Sequence, residues 1–213
     1  MIKNKYYIVS ILIMLCFTSN ISIFGKSVKQ ISKRAIQLES LRINAVKNPN
    51  KKTEIAYLNA FPRTFKGFCF LFNNIDFEST EIDDPNDLSE LTDKYVKHLN
   101  LLNKLSKKYP NNVLSIWLNV SINGKWDADA VSLLQDQIAK YVAKHTKHFV
   151  SELEKKSKSD QLSIIKFIAD VAGHDIYYEY MEIIKNLKKL KKTKILKYFL
   201  EARKERMKHG CCD

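Results

Sequence analysis

The chain has 213 residues, of which 36 are Lys or Arg and 23 are Asp or Glu, giving a net charge of +13. An apolar fraction of 45% with 11% aromatic residues supports a buried core and excludes an intrinsically disordered chain. Five Gly and four Pro are too few for a turn-rich β fold and suit long helices.

The first five residues, Met1 to Lys5, carry two lysines and no acid. Tyr6 to Phe17 is apolar apart from Ser10, and Thr18-Ser19-Asn20 breaks the run. That order is the layout of a secretory signal peptide, with cleavage expected after Gly25 in Ile23-Phe24-Gly25. The apolar stretch is shorter than the about 20 residues that a spanning helix needs. An uncleaved signal anchor is the alternative reading. A lipoprotein reading of Cys16 fails on the bulky Leu15 before it. Residues 1–25 are thus expected to be a signal peptide, 26–208 a helical domain and 209–213 a flexible Cys-containing end. Without the leader no membrane-spanning segment is expected. Removal takes away Lys3 and Lys5 and no acid, so the exported domain would keep +11 of the chain's +13.

Helical spacing of Val28, Ile31, Ala35, Leu38 and Ala45 predicts a helix over 27–47, stopped by Asn48-Pro49-Asn50. Thr53 is expected to cap a short helix ending near Ala60. After Phe61-Pro62, a second short helix is expected over 64–72, its five Phe between 61 and 72 forming a core plug. Asn73 to Asp93 holds eight acids and no base. Its end reads as a helix start, with Asp84 as cap and Pro85 at the first helical position. From there one long helix is expected to Tyr109, closed by Pro110. Val113 to Ile122 alternates like a strand, but no partner strand lies nearby, so a buried helix ended by Gly124 is expected. Asp127 is expected to cap a helix to about Lys155, with Trp126 stapled to Val131. Asp160, Asp175 and Thr193 are expected to cap the last three helices, the final one running to Lys208. The sum is an all-α, single-domain bundle of about eight helices behind the signal peptide.

Candidate chemistry is sparse. Gly-rich phosphate loops and nucleophile elbows are absent, which points away from an enzyme and implies no cofactor. His145, His148 and Glu152 fall at i, i+3 and i+7, where one helix face would offer three weak metal-ligand candidates. His209, Cys211 and Cys212 form a second weak metal-binding candidate, with soft ligands. In an oxidising compartment Cys69, Cys211 and Cys212 are an odd set of disulfide candidates. His174-Asp175 reads as a helix junction. The acidic stretch lacks the central Gly of a calcium loop. Residues 181–213 carry eleven Lys or Arg against four acids. Lys188, Lys189, Lys191, Lys192, Lys194 and Lys197 are therefore the expected interaction residues, facing a protein partner or an anionic envelope surface. Export would exclude nucleic acid.

Two stretches, Phe61-Pro62-Arg63-Thr64-Phe65-Lys66 and Asn123 to Val131 (Asn-Gly-Lys-Trp-Asp-Ala-Asp-Ala-Val), give the chain a family likeness. With the leader in front and the Lys-rich helices behind, it resembles a group of small exported helical proteins of Gram-negative bacteria with no established activity. The resemblance implies an all-helical domain in the periplasm or cell envelope and assigns no site residue. The expected role is a non-enzymatic binding protein of oligomeric state left open. The alternatives are a metal- or thiol-dependent protein, and an inhibitor or immunity-type protein whose acidic stretch at 76–93 meets a basic target.

Overall fold

The computed structural model describes residues 33–72, 91–170 and 177–208, and all of its regular structure there is helical. The expected leader and the expected start of the first helix at 27–32, most of the acidic stretch, His174-Asp175 and the Cys-containing end lie outside the described residues. The first helix, α1, covers 33–47 and ends at Asn48, whose amide returns to Asn44 O at 2.8 Å before Pro49 forbids continuation. Helix α2, Lys51–Ala60, starts from Asn50. The Asn50 side chain accepts from Lys52 N and Thr53 N, while Thr53 Oγ1 accepts from Asn50 N. The capping residue is therefore Asn50, and Thr53 is its reciprocal partner one turn inside.

Helix α3, Phe65–Phe72, follows Phe61-Pro62, and Thr64 Oγ1 accepts from Gly67 N at 3.1 Å. Its Phe65, Phe68, Cys69 and Phe72 recur at helical spacing and are buried. Phe61, Phe68 and Phe72 stack within 5.1–6.4 Å of one another, the expected aromatic plug. The long helix expected to reach Tyr109 is interrupted at Asp93-Lys94. Helix α4 runs Tyr95–Ser106, and Pro110 opens rather than merely follows, as the first residue of α5, Pro110–Ser121. A proline loses no hydrogen bond at that position and its φ already suits a helix. The alternating segment is thus a helix, buried nearly all round from Val113 to Ser121.

Helix α6, Asp129–Lys144, packs against α3, α4 and three further helices: α7, Thr146–Leu153; α8, Lys158–Ala169; and α9, Tyr177–Lys189. The expected cap, Asp127, lies one residue too early. Its Oδ1 accepts from Ala128 N instead, Ala128 precedes the helix, and the staple fails, leaving Trp126 40% exposed. The single helix expected to Lys155 is broken at His145. There Thr146 Oγ1 bonds back to Val142 O at 2.8 Å and satisfies the open end of α6. Ser157, not Asp160, caps α8, its Oγ accepting from Asp160 N at 3.1 Å.

The last helix, α10, Thr193–Lys208, follows α9 after a tight turn. Lys191 sits there at φ 56° and Lys192 N reaches back to Leu187 O at 3.1 Å. That is a Schellman closure with a lysine where glycine is usual. Helix α10 packs on α8 and α9, with Phe199 edge-on to Phe149 at 6.3 Å. Ile183, Ile184, Leu187, Ile195 and Phe199 join the one core shared by the described helices. Ten helices lie among the described residues, two of them from the run over 127–155 that was expected as a single helix.

A basic groove as candidate functional site

The break at His145 does more than divide a helix. It opens a groove of about 750 Å³ between the α6–α7 joint and the C-terminal end of α9. Lys144 and Lys147 stand on one wall and Lys189 on the other. All three are exposed and make no ion pair among the described residues. Among the described residues no carboxylate lines the groove. Three cations facing a concave surface focus a positive potential, because the low-dielectric walls confine the field.

The groove is built, not incidental. Asn186 Nδ2 donates to Ala143 O at 2.9 Å and so ties α9 to the last turn of α6. His148 Nδ1 lies 2.9 Å from Tyr141 Oη, and the His145 ring leans on Tyr141 at 4.6 Å. Burial, aided by Lys144 and His148, lowers the His145 pKa, so its ring is neutral near pH 7 and adds a polar surface rather than charge. The nearby acids are engaged elsewhere. Glu152 is held by Lys155 at 2.5 Å and Glu154 by Lys192 at 2.8 Å.

The two sets of candidate residues meet here in part. His145, His148 and Lys189 line one groove although 41 residues separate His148 from Lys189. As a metal site the set fails geometrically. The three candidates were placed on a continuous helix, but His145 lies at the joint, His148 faces Tyr141 and Glu152 pairs with Lys155. Among the described residues no three His, Cys, Asp or Glu side chains gather as ligands. Of the remaining lysines, Lys188, Lys191, Lys194 and Lys197 are exposed, Lys194 lies over the Tyr198 ring and Lys197 is near Glu201 at 3.7 Å. Lys192 is committed to Glu154. Cys69 is a free thiol, wholly buried in α3, and burial pushes its pKa up to about 12. Cys211 and Cys212, with His209, lie outside the described residues.

Sequence reasoning missed Thr146, Ser151 and Asn186 as groove residues. Their role depends on α9 lying across the α6–α7 joint, which no local spacing announces. The fold and groove define an all-helical basic domain with a concave cationic surface. Comparison with family models, curated proteins and solved structures finds no match to this chain. Among the described residues no helix is long and apolar enough to cross a membrane.

Proposed function

We propose that this chain is an exported, non-enzymatic binding protein that docks on an anionic envelope surface through the groove of Lys144, Lys147 and Lys189. The observation that carries this reading is that three lysines and, among the described residues, no carboxylate line the groove, while Lys188, Lys191, Lys194 and Lys197 are also exposed. Exposed lysines close to an anionic bilayer contribute about 1 kcal/mol each, and the attraction fades with salt. The leader supports export, and the likeness to exported helical proteins of Gram-negative bacteria agrees with it. Intact mass of the protein from its host envelope should begin at Lys26.

Truncation is the wrong test, because α9 and α10 supply Leu187, Ile195 and Phe199 to the core. Charge removal is the right one. The purified protein should sediment with phosphatidylglycerol vesicles and not with phosphatidylcholine vesicles. The triple variant Lys144→Gln, Lys147→Gln, Lys189→Gln should weaken that association about a hundredfold. Equal association by the triple variant would remove the groove as the contact. Failure of the wild type to sediment would remove the lipid surface as the partner.

A further inference from the structure

The groove at the α6–α7 joint carries more than charge. Its walls come from three helices: Lys144 ends α6, Lys147, His148 and Ser151 belong to α7, and Asn186 and Lys189 belong to α9. Lys147 and His148 lie four and three residues before Ser151, so one face of α7 presents an ammonium, an imidazole and a hydroxyl together. The volume of about 750 Å³ lies within the range of small-molecule sites, about 300–1,000 Å³.

The backbone at the joint adds to the positive field. The C-terminal end of α6 would leave open carbonyls there, but neighbouring donors close them. His145 N donates to Tyr141 O at 2.8 Å, Thr146 Oγ1 to Val142 O at 2.8 Å, and Asn186 Nδ2 to Ala143 O at 2.9 Å. Helix α7 starts at Thr146 with no side-chain hydrogen bond capping it. The negative end of α6 is thus quenched, while the positive end of α7 stays open beside Lys147.

The side chains keep donors to give. Lys144, Lys147 and Lys189 make no ion pair among the described residues, and each ammonium carries three N–H groups. His148 Nδ1 meets Tyr141 Oη, and burial raises the Tyr141 pKa, so that hydroxyl keeps its hydrogen. Donation of that hydrogen to Nδ1 places the ring N–H of a neutral His148 on Nε2.

This set of donors suits one kind of anion. Planar carboxylates are matched best by the arginine fork, and among the described residues no Arg lines the groove. Lysines act as point charges that can approach a tetrahedral group from several sides. A phosphate diester brings one negative charge and two free oxygens. A phosphate monoester brings about −1.5 to −2 charge at pH 7 and three acceptor oxygens, enough to engage ammonium groups from all three helices. The groove also has room for the body that the ester carries.

We propose that this groove recognises a phosphate monoester, carried either by a lipid headgroup or by a small soluble molecule. That selectivity rests on the groove being the contact surface, as proposed above, and adds which anion it prefers. The three ammonium groups meet the phosphate oxygens, and Ser151 and His148 donate from the face of α7.

Two arms test this and separate the two sources. In solution, sn-glycerol 3-phosphate is titrated into the protein and the ring signals of His145 and His148 are followed by NMR, with dimethyl phosphate as the diester at equal ionic strength. Saturable shifts are expected with the monoester, at an affinity at least about tenfold tighter than with the diester. Lys147→Gln and Lys189→Gln should each weaken binding about fivefold, and Ser151→Ala by a smaller factor. Lys204→Gln, which removes an exposed lysine of α10 outside the groove, should leave it unchanged. On membranes, phosphatidylcholine vesicles doped with phosphatidic acid are compared with vesicles doped with phosphatidylglycerol at matched surface charge. Stronger sedimentation with phosphatidic acid, lost in the groove triple variant, assigns a lipid source. Monoester binding in solution without that preference assigns a soluble one, and if no vesicle sediments the protein, the lipid surface falls while monoester recognition stands. Equal response to monoester and diester in both arms overturns the selectivity and leaves docking on anionic lipid intact. No response in either arm overturns both, and unchanged monoester binding in Lys147→Gln and Lys189→Gln overturns the groove as the monoester site.

Discussion

Where α1, α2 and α4 meet, Glu39 is gripped by Arg42 through two hydrogen bonds of 2.6 and 2.8 Å. His98 is wholly buried there, its Nδ1 3.3 Å from Tyr57 Oη, and Tyr57 Oη donates to His98 O at 3.1 Å. His98 Nε2 lies 3.1 Å from Glu39 Oε2, off the axis of an aligned hydrogen bond, so the contact is electrostatic. Nearby, buried Glu54 receives Lys108 Nζ at 2.5 Å and Tyr109 Oη at 2.6 Å. At the α6–α7 joint His148 likewise meets Tyr141, but Lys144 and Lys147, with Lys189 opposite, make no ion pair among the described residues. The contrast separates charge that holds the fold from charge that is presented to solvent. A charged residue buried without a partner would be costly, so pairing marks the first corner as structural. Exposed lysines without acids cost the fold little, and their clustering from three helices, one of them distant in the chain, is what gives the groove a functional reading.

The comparison breaks most readily if the Lys-rich helices are a detachable appendage. Phe199→Ala tests this, because Phe199 is fully buried and faces Phe149 and Tyr180. The substitution should cost about 3–5 kcal/mol, read as a lowered urea midpoint. A loss near zero would mean that α10 contributes nothing to the core.

Acid should act on the paired corner before the groove. Burial, offset in part by Glu39, lowers the His98 pKa from 6.5 to about 4. The unfolded chain therefore takes up this proton first as pH falls. Stability is complete above about pH 6.5 and is lost as pH descends toward 4, by about 3 kcal/mol in total. Glu39, whose pKa is lowered chiefly by its hydrogen bond to Arg42, adds a further loss in the same direction at lower pH. His98→Phe should flatten the stability curve between pH 6.5 and 4 while leaving the Glu39 portion. An unchanged slope in that variant would assign the acid sensitivity to other groups.

Helix content and the inward stripes were legible because apolar residues recur at helical spacing over long runs. Leu99, Leu102 and Leu105 lie where the period puts them, as do Ile195 and Phe199. The joints were not legible, since they depend on side-chain to backbone bonds that the period ignores. Thr146 bonding back to Val142 O divides one run, and the turn at Asp93-Lys94 divides another. Capping residues were displaced for a related reason. Asn50 and Thr53 both suit a helix start, and only the reciprocal bonds show which residue stands outside. The groove was half legible. Its lysines and histidines stood out as types, but their convergence needs α9 to cross the joint, and the hidden structural role of His98 had no local mark at all.

The smallest expected effect on stability sharpens the contrast furthest. Lys144, Lys147 and Lys189 make no ion pair among the described residues, so replacing each with Gln removes charge and little packing. Each substitution should move stability by no more than about 0.5 kcal/mol, measured by the same urea unfolding. A small gain is the more reasonable sign, because Lys144 and Lys147 repel each other and sit beside His145. Vesicle association, in contrast, should collapse in the triple variant, and the wild type should lose it progressively as salt rises. Stability and binding would then part company at these three positions, whereas at Glu39 and Arg42 substitution should reduce stability and leave vesicle association by the remaining folded protein intact. If the lysine variants instead unfolded easily, the groove would belong with the paired corner, as part of what holds the helices together.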